Sequence, residues 1–115
     1  LYWGVKFLYE RYQTPVVITE NGMSSHDWPA LDGKIHDYAR IDYLHRHLRG
    51  LKRAAEEGVD VAGYFQWSLM DNFEWARGYN DRFGLIYVDY ATQERIPKDS
   101  FEWYRNTIMQ NGENL

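Results

Sequence analysis

The segment that most constrains this chain is Val16-Val17-Ile18-Thr19, a β-branched run that ends abruptly in Glu20-Asn21-Gly22. A short run of this kind without polar alternation predicts a strand buried on both faces, the habit of parallel sheets, with its C-terminal end opening into a loop. The flanking sequence fits that reading. Leu1, Val5, Leu8, Tyr9 and Tyr12 recur at helical spacing and predict a helix over 1–12, broken at Gln13-Thr14-Pro15. Residues 23–36, with Trp28-Pro29 and Asp32-Gly33, read as a polar surface loop. Ile41, Leu44, Leu48, Leu51 and Ala55 then predict a second helix, opened by Asp37 as its cap and stopped at Gly58. Residues 59–67 read as a second apolar strand. Helix, strand, helix, strand is the order of parallel β/α construction.

Beyond Trp67 the pattern changes. Residues 68–81 form a long loop dense in Asp, Asn, Glu, Trp and Tyr, and residues 83–90 alternate as an excursion strand outside the main sheet. Pro97 then leads into a last helix through Phe101, Trp103, Tyr104 and Ile108. Residues 1–115 are expected to be a single partial domain, because two strands cannot close a sheet on themselves and the first helix opens without a capping residue.

Composition narrows the classes of partner. The formal net charge of −4 comes from 17 acidic and 13 basic residues scattered along the chain. No block of like charge could grip phosphates, so neither nucleic acid nor an anionic membrane surface is an expected partner. There is no cysteine and hence no disulfide framework or thiolate metal site. No apolar run approaches the roughly 20 residues that span a bilayer. The unusual component is aromatic: five Trp and ten Tyr, several set among carboxylates and amides. Aromatic rings ordinarily fill cores, but flat rings beside carboxylates and amides also suit a sugar, which offers apolar C–H faces rimmed by hydroxyls.

Position along the chain bears on that choice. Both polar, aromatic-rich segments follow the C-terminal ends of predicted parallel strands, the edge where α/β barrels place their active sites. Glu20 ends the first strand. The position alone admits either a carboxylate held at a barrel mouth or the plain start of an Asn-Gly turn. Trp67-Ser68-Leu69-Met70-Asp71-Asn72-Phe73-Glu74-Trp75 follows the second strand. Two Trp bracketing Ser, Asp, Asn and Glu favour a polar-aromatic pocket over a simple cap on the core.

Residues 16–24, Val-Val-Ile-Thr-Glu-Asn-Gly-Met-Ser, resemble the nucleophile signature of family 1 glycoside hydrolases, the β-glucosidases and their relatives. Residues 67–75 resemble that family's sugar-binding loop. Arg82-Phe83-Gly84-Leu85, Lys98-Asp99-Ser100 and Trp103-Tyr104 resemble its closing segments, so the similarity runs from end to end of the chain. The resemblance implies the C-terminal quarter of a (β/α)8 TIM barrel, containing the last two barrel strands with their helices. It makes Glu20 the nucleophile of a retaining hydrolysis, Trp67 the platform under the bound sugar, and Glu74 and Trp75 partners of its outer hydroxyls. Gln66, Asn72 and Phe83 become candidate wall or supporting residues. A cis peptide between Trp67 and Ser68 is also implied. Because a carboxylate at Glu74 would repel a phosphate, the implied substrate is an unphosphorylated β-glucoside or a close epimer.

Retaining hydrolysis needs a second carboxyl group roughly 5–5.5 Å from the first. The family's acid/base Glu lies in an Asn-Glu-Pro segment, and no Asn-Glu-Pro occurs here. Glu56, Glu57, Glu94 and Glu102 read as solvated charges on helix or turn surfaces. His45 and His47, two apart on a helix, point different ways, and His26 and His36 lie in a loop, so neither a metal site nor a cofactor is expected. By itself the chain is expected to be inactive. Its open sheet edges would be covered either by the missing N-terminal part of the barrel or by other copies of the chain. The cytoplasm is the compartment that bacterial relatives suggest.

Overall fold

The computed structural model describes residues 1–115. Helix α1 spans Tyr2–Tyr12 and strand β1 spans Val16–Asn21. Helix α2 spans Tyr38–Glu56 and strand β2 Val61–Gln66; after a 3₁₀ turn at Trp75–Arg77 come β3 at Ile86–Val88, β4 at Arg95–Pro97 and α3 at Asp99–Met109. Strands β1 and β2 pair in parallel, with Val16 opposite Val61 and Asn21 opposite Gln66. The β/α order read from the sequence is therefore present, as a two-stranded sheet and not a closed barrel.

The core lies between that sheet and the helices. Val5 of α1, Leu51 and Ala54 of α2, and Val59 cluster with Tyr2, Tyr9, Val16, Ile18, Val61 and Tyr64 around them. Leu44, Leu48 and Leu51 are all buried, and each contributes about 1.5–3 kcal/mol of hydrophobic stabilisation. The stripe on α2 closes on Ala54, and Ala55 faces out. The same helix face buries Arg40, a residue that hydrophobic periodicity passes over.

Three local expectations are revised. Asp37 stands at the N-cap of α2, but its carboxylate makes no capping bond there. It accepts instead from the Ser100 backbone amide at 2.9 Å and the Ser100 hydroxyl at 2.5 Å, capping the first turn of α3 from 63 residues away. The alternation over 83–90 yields only the strand Ile86–Val88, because the Asp89 carboxylate accepts from the amides of Ala91 and Thr92 and turns the chain. That turn returns the chain as β4, antiparallel to β3, with Tyr87 opposite Ile96. Glu57 is exposed, yet it is no idle surface charge. It accepts from Tyr2, Lys6 and Arg53, clamping α1 to the end of α2, and those hydrogen bonds lower its carboxyl to about 2.

Candidate functional site

The two polar loops leave the same end of the β1–β2 pair, and the backbone joins them there. The Trp67 amide donates to the Asn21 carbonyl at 2.9 Å. Asn21 donates through Nδ2 to the Tyr43 hydroxyl at 3.0 Å and accepts the Tyr64 hydroxyl on Oδ1 at 2.9 Å, while Gln66 Nε2 donates to the Trp67 carbonyl at 2.6 Å. Burial pushes the Tyr64 phenol up, with the neighbouring Tyr104 and Tyr43 adding to the shift, so Tyr64 remains a neutral donor. A Cβ at Gly22 would lie 1.8 Å from the Trp67 carbonyl oxygen. Only glycine allows that approach, which fixes the residue two beyond Glu20 against the start of the second loop.

Glu20 lies at this seam, the exposed penultimate residue of β1. Trp67 is half-buried just past the end of β2, and its bond to Ser68 is a cis peptide, as the resemblance implies. Glu74 and Trp75 lie further out. Trp75 is 80 % exposed and holds φ 42°, an unfavourable region for a bulky side chain. The tight turn that enforces it is closed by the Glu74 amide donating to the Gly78 carbonyl at 2.6 Å and the Arg77 amide to the Glu74 carbonyl at 2.8 Å. Backbone strain of this kind concentrates at functional positions. A cavity of about 660 Å³ opens on one flank of the second loop, lined by Trp67, Asn72, Phe73, Tyr79, Tyr90 and Arg95 among others. Glu20, Glu74 and Trp75 are not among its walls.

Beneath the loops lies a buried ionic network that sequence reading missed. Arg40 donates to Asp37, to Asp27 at 2.7 Å and to the carbonyls of Met23 and Arg82. Lys98 donates to Asp27 at 2.5 Å and Asp71 at 2.8 Å. Asp71 also accepts from Arg82 at 2.7 Å and from the amides of Gly84 and Val88. The guanidinium of Arg82 stacks between the Tyr87 and Tyr90 rings. Burial works to raise the Asp27 carboxyl, but the hydrogen bonds from Arg40 and Lys98 outweigh it and hold the group below its ordinary range. Burial and the Arg40 charge push the Lys98 ammonium down. The sequence signals for this network are indirect: Asp71, Arg82 and Lys98-Asp99-Ser100 fall within the family-like segments, and Asp37 reads only as a helix cap.

The histidines have separate partners. His45 meets the Trp103 edge, His47 Nδ1 donates to the Tyr43 carbonyl at 2.8 Å, and His36 lies between Asp32 and Asp99. No group of three or more His, Asp or Glu side chains converges as metal ligands, and no helix is long and apolar enough to cross a membrane.

The fold is an open parallel β/α pair with a carboxylate near the end of one strand and a tryptophan just past the end of the other, and sequence comparison supplies its family. The pattern of glycosyl hydrolase family 1 matches residues 1–113, and the chain belongs to that family. It is similar to beta-glucosidase A of Thermotoga maritima, with 53 % identity over 113 residues, 97 % of this chain and 25 % of that protein. The bifunctional beta-D-glucosidase/beta-D-fucosidase of Bifidobacterium breve is 62 % identical over 98 residues, covering 82 % of this chain and 21 % of that one. A solved Thermotoga maritima beta-glucosidase in complex with deoxynojirimycin superposes with a TM-score of 0.95 at 53 % identity, over 96 % of this chain and 26 % of the other. The chain thus spans about a quarter of the length of these relatives.

Proposed function

We propose that this chain is the C-terminal quarter of a (β/α)8 barrel that hydrolyses terminal, unphosphorylated β-D-glucosides with retention of configuration. The observation that supports the reading is the seam at the strand ends, where the Trp67 amide meets the Asn21 carbonyl and Gly22 packs against the Trp67 carbonyl, next in the chain to Glu20. Glu20 attacks the anomeric carbon, the aglycone oxygen leaves with a proton from an acid outside residues 1–115, and water then releases the sugar from the covalent ester. Trp67 supports the apolar face of the ring. Glu74 and Trp75 engage its outer hydroxyls, and the Glu74 charge selects against 6-phosphorylated sugars.

The missing acid makes the isolated chain inactive. Joining residues 1–113 to the upstream three quarters of the Thermotoga maritima enzyme, in place of its own matching segment, is the decisive experiment. An aryl β-glucoside should be turned over by the joined protein and not by the 115-residue chain. Replacing Glu20 with Ala should abolish turnover, and azide should then restore it with formation of the α-glycosyl azide. Unchanged turnover in the Glu20→Ala protein would remove Glu20 from its role.

A further inference from the structure

Lys98 stands where no substrate could touch it, with its side chain fully buried, yet its ammonium joins the two loops of the site. One end of the bridge is Asp27, in the loop that follows Glu20, and the other is Asp71, midway between Trp67 and Glu74. The backbone of Lys98 is itself fixed. Its amide donates to the Leu85 carbonyl at 3.0 Å, the Asp99 amide donates to the Ile35 carbonyl at 3.1 Å, and Phe101 closes the first turn of α3 on the Lys98 carbonyl.

We infer that Lys98 is a positioning residue, a buried cation at the N-cap of α3 that sets the distance between the Glu20 loop and the Trp67–Glu74 loop. The reasoning is geometric. Asp27 is tied through Arg40 to the Met23 carbonyl, three residues past Glu20. Asp71 is tied to Arg82 and to the Gly84 and Val88 amides, so neither carboxylate can follow a displaced partner without breaking its other bonds. Three carboxylates, Asp27, Asp37 and Asp71, face three cations, Arg40, Lys98 and Arg82. Removing Lys98 leaves this set one positive charge short, in a site where an uncompensated charge is strongly disfavoured. The loops then separate or twist, and a shift near 1 Å in a positioned group costs a rate of about 100-fold.

This inference rests on the proposed site. In the joined barrel, Lys98→Met is expected to lower kcat/KM for an aryl β-glucoside by about 100-fold and affinity for deoxynojirimycin, measured by calorimetry, by about tenfold. The double variant Lys98→Met, Asp27→Asn removes the unpaired charge, so its melting temperature should recover while kcat/KM and affinity stay low. Recovery of kcat/KM to within about threefold of the parent, alongside recovered stability, would overturn the inference and leave Lys98 a structural counter-ion. Should Lys98→Met fail to fold, Asp27→Asn alone decides: it weakens one end of the bridge, and an unchanged kcat/KM with unchanged affinity overturns the inference. Glu20→Gln in the same barrel separates the two failures. If it keeps its turnover, the proposed nucleophile is wrong, while deoxynojirimycin affinity still reports on Lys98.

Discussion

The mouth at the strand ends and the ionic network beneath it are built on opposite terms. Glu20 and Glu74 enter none of the chain's ion pairs, and Trp75 stands in solvent, whereas every charge below them is paired and hydrogen-bonded. A buried charge must find its partners within the chain or the fold is lost. Groups meant for a ligand must be left available to it. The contrast teaches that the residues proposed to do chemistry and those proposed to hold them in place meet opposite requirements, though only a few residues separate them in sequence.

The largest test of this contrast is at the mouth. In the joined barrel, Glu20→Gln should lower kcat on the order of 10⁴-fold or more while leaving the melting temperature within a degree or two, because an unpaired exposed carboxylate contributes little to stability. A large loss of stability on that change would break the distinction. In the network the sign reverses. Arg40→Met leaves Asp27 and Asp37 buried without their guanidinium and should cost about 3–5 kcal/mol in denaturant unfolding. Gly22→Ala lies at the seam between the regions. Its methyl meets backbone, not a flexible side chain, so a loss of about 1–3 kcal/mol is expected with a fall in kcat/KM. A neutral result would show that the seam can relax.

Two smaller effects sharpen the picture. Val17, Phe65 and Leu69 are exposed, so the 115-residue chain alone should associate at micromolar concentration, and a monomeric mass by light scattering would contradict this. The rim of the structure should also titrate. Hydrogen bonds first to Asp99 and then to Asp32 raise the His36 pKa above 6.5. A group raised on folding stabilises fully below its unfolded pKa and loses that contribution as pH rises through the folded value. The link from the 23–36 loop to α3 should therefore weaken as pH climbs above 6.5, and His36→Gln should flatten the change in thermal unfolding. Glu57 has the opposite sign. Its clamp is complete above the ordinary carboxylate range and is lost as pH falls toward about 2.

The strands, helices and strand-end position of Glu20 were legible because each rests on local signals: a β-branched run, a 3.6-residue stripe, a glycine stop. Residues 67–75 were legible as a polar-aromatic loop for the same reason. The network was not. Arg40 lies on the buried face of α2, but a pattern of apolar residues cannot register a charge whose burial is made tolerable by Asp27 and Asp37. Nothing in the local sequence around Lys98 marks it for burial.

Sequence by itself determined the β/α order, which rests on residue type and spacing along the chain, and the family, whose resemblance implies the candidate roles of Glu20, Trp67, Glu74 and Trp75. Tertiary structure alone decided that Asp37 caps α3 and not its own helix, that Gly22 must be glycine because the Trp67 carbonyl presses on it, and that Lys98 spans two loops. Each of those depends on a distance between residues far apart in sequence. Such distances are set by packing the whole chain, which no local pattern encodes.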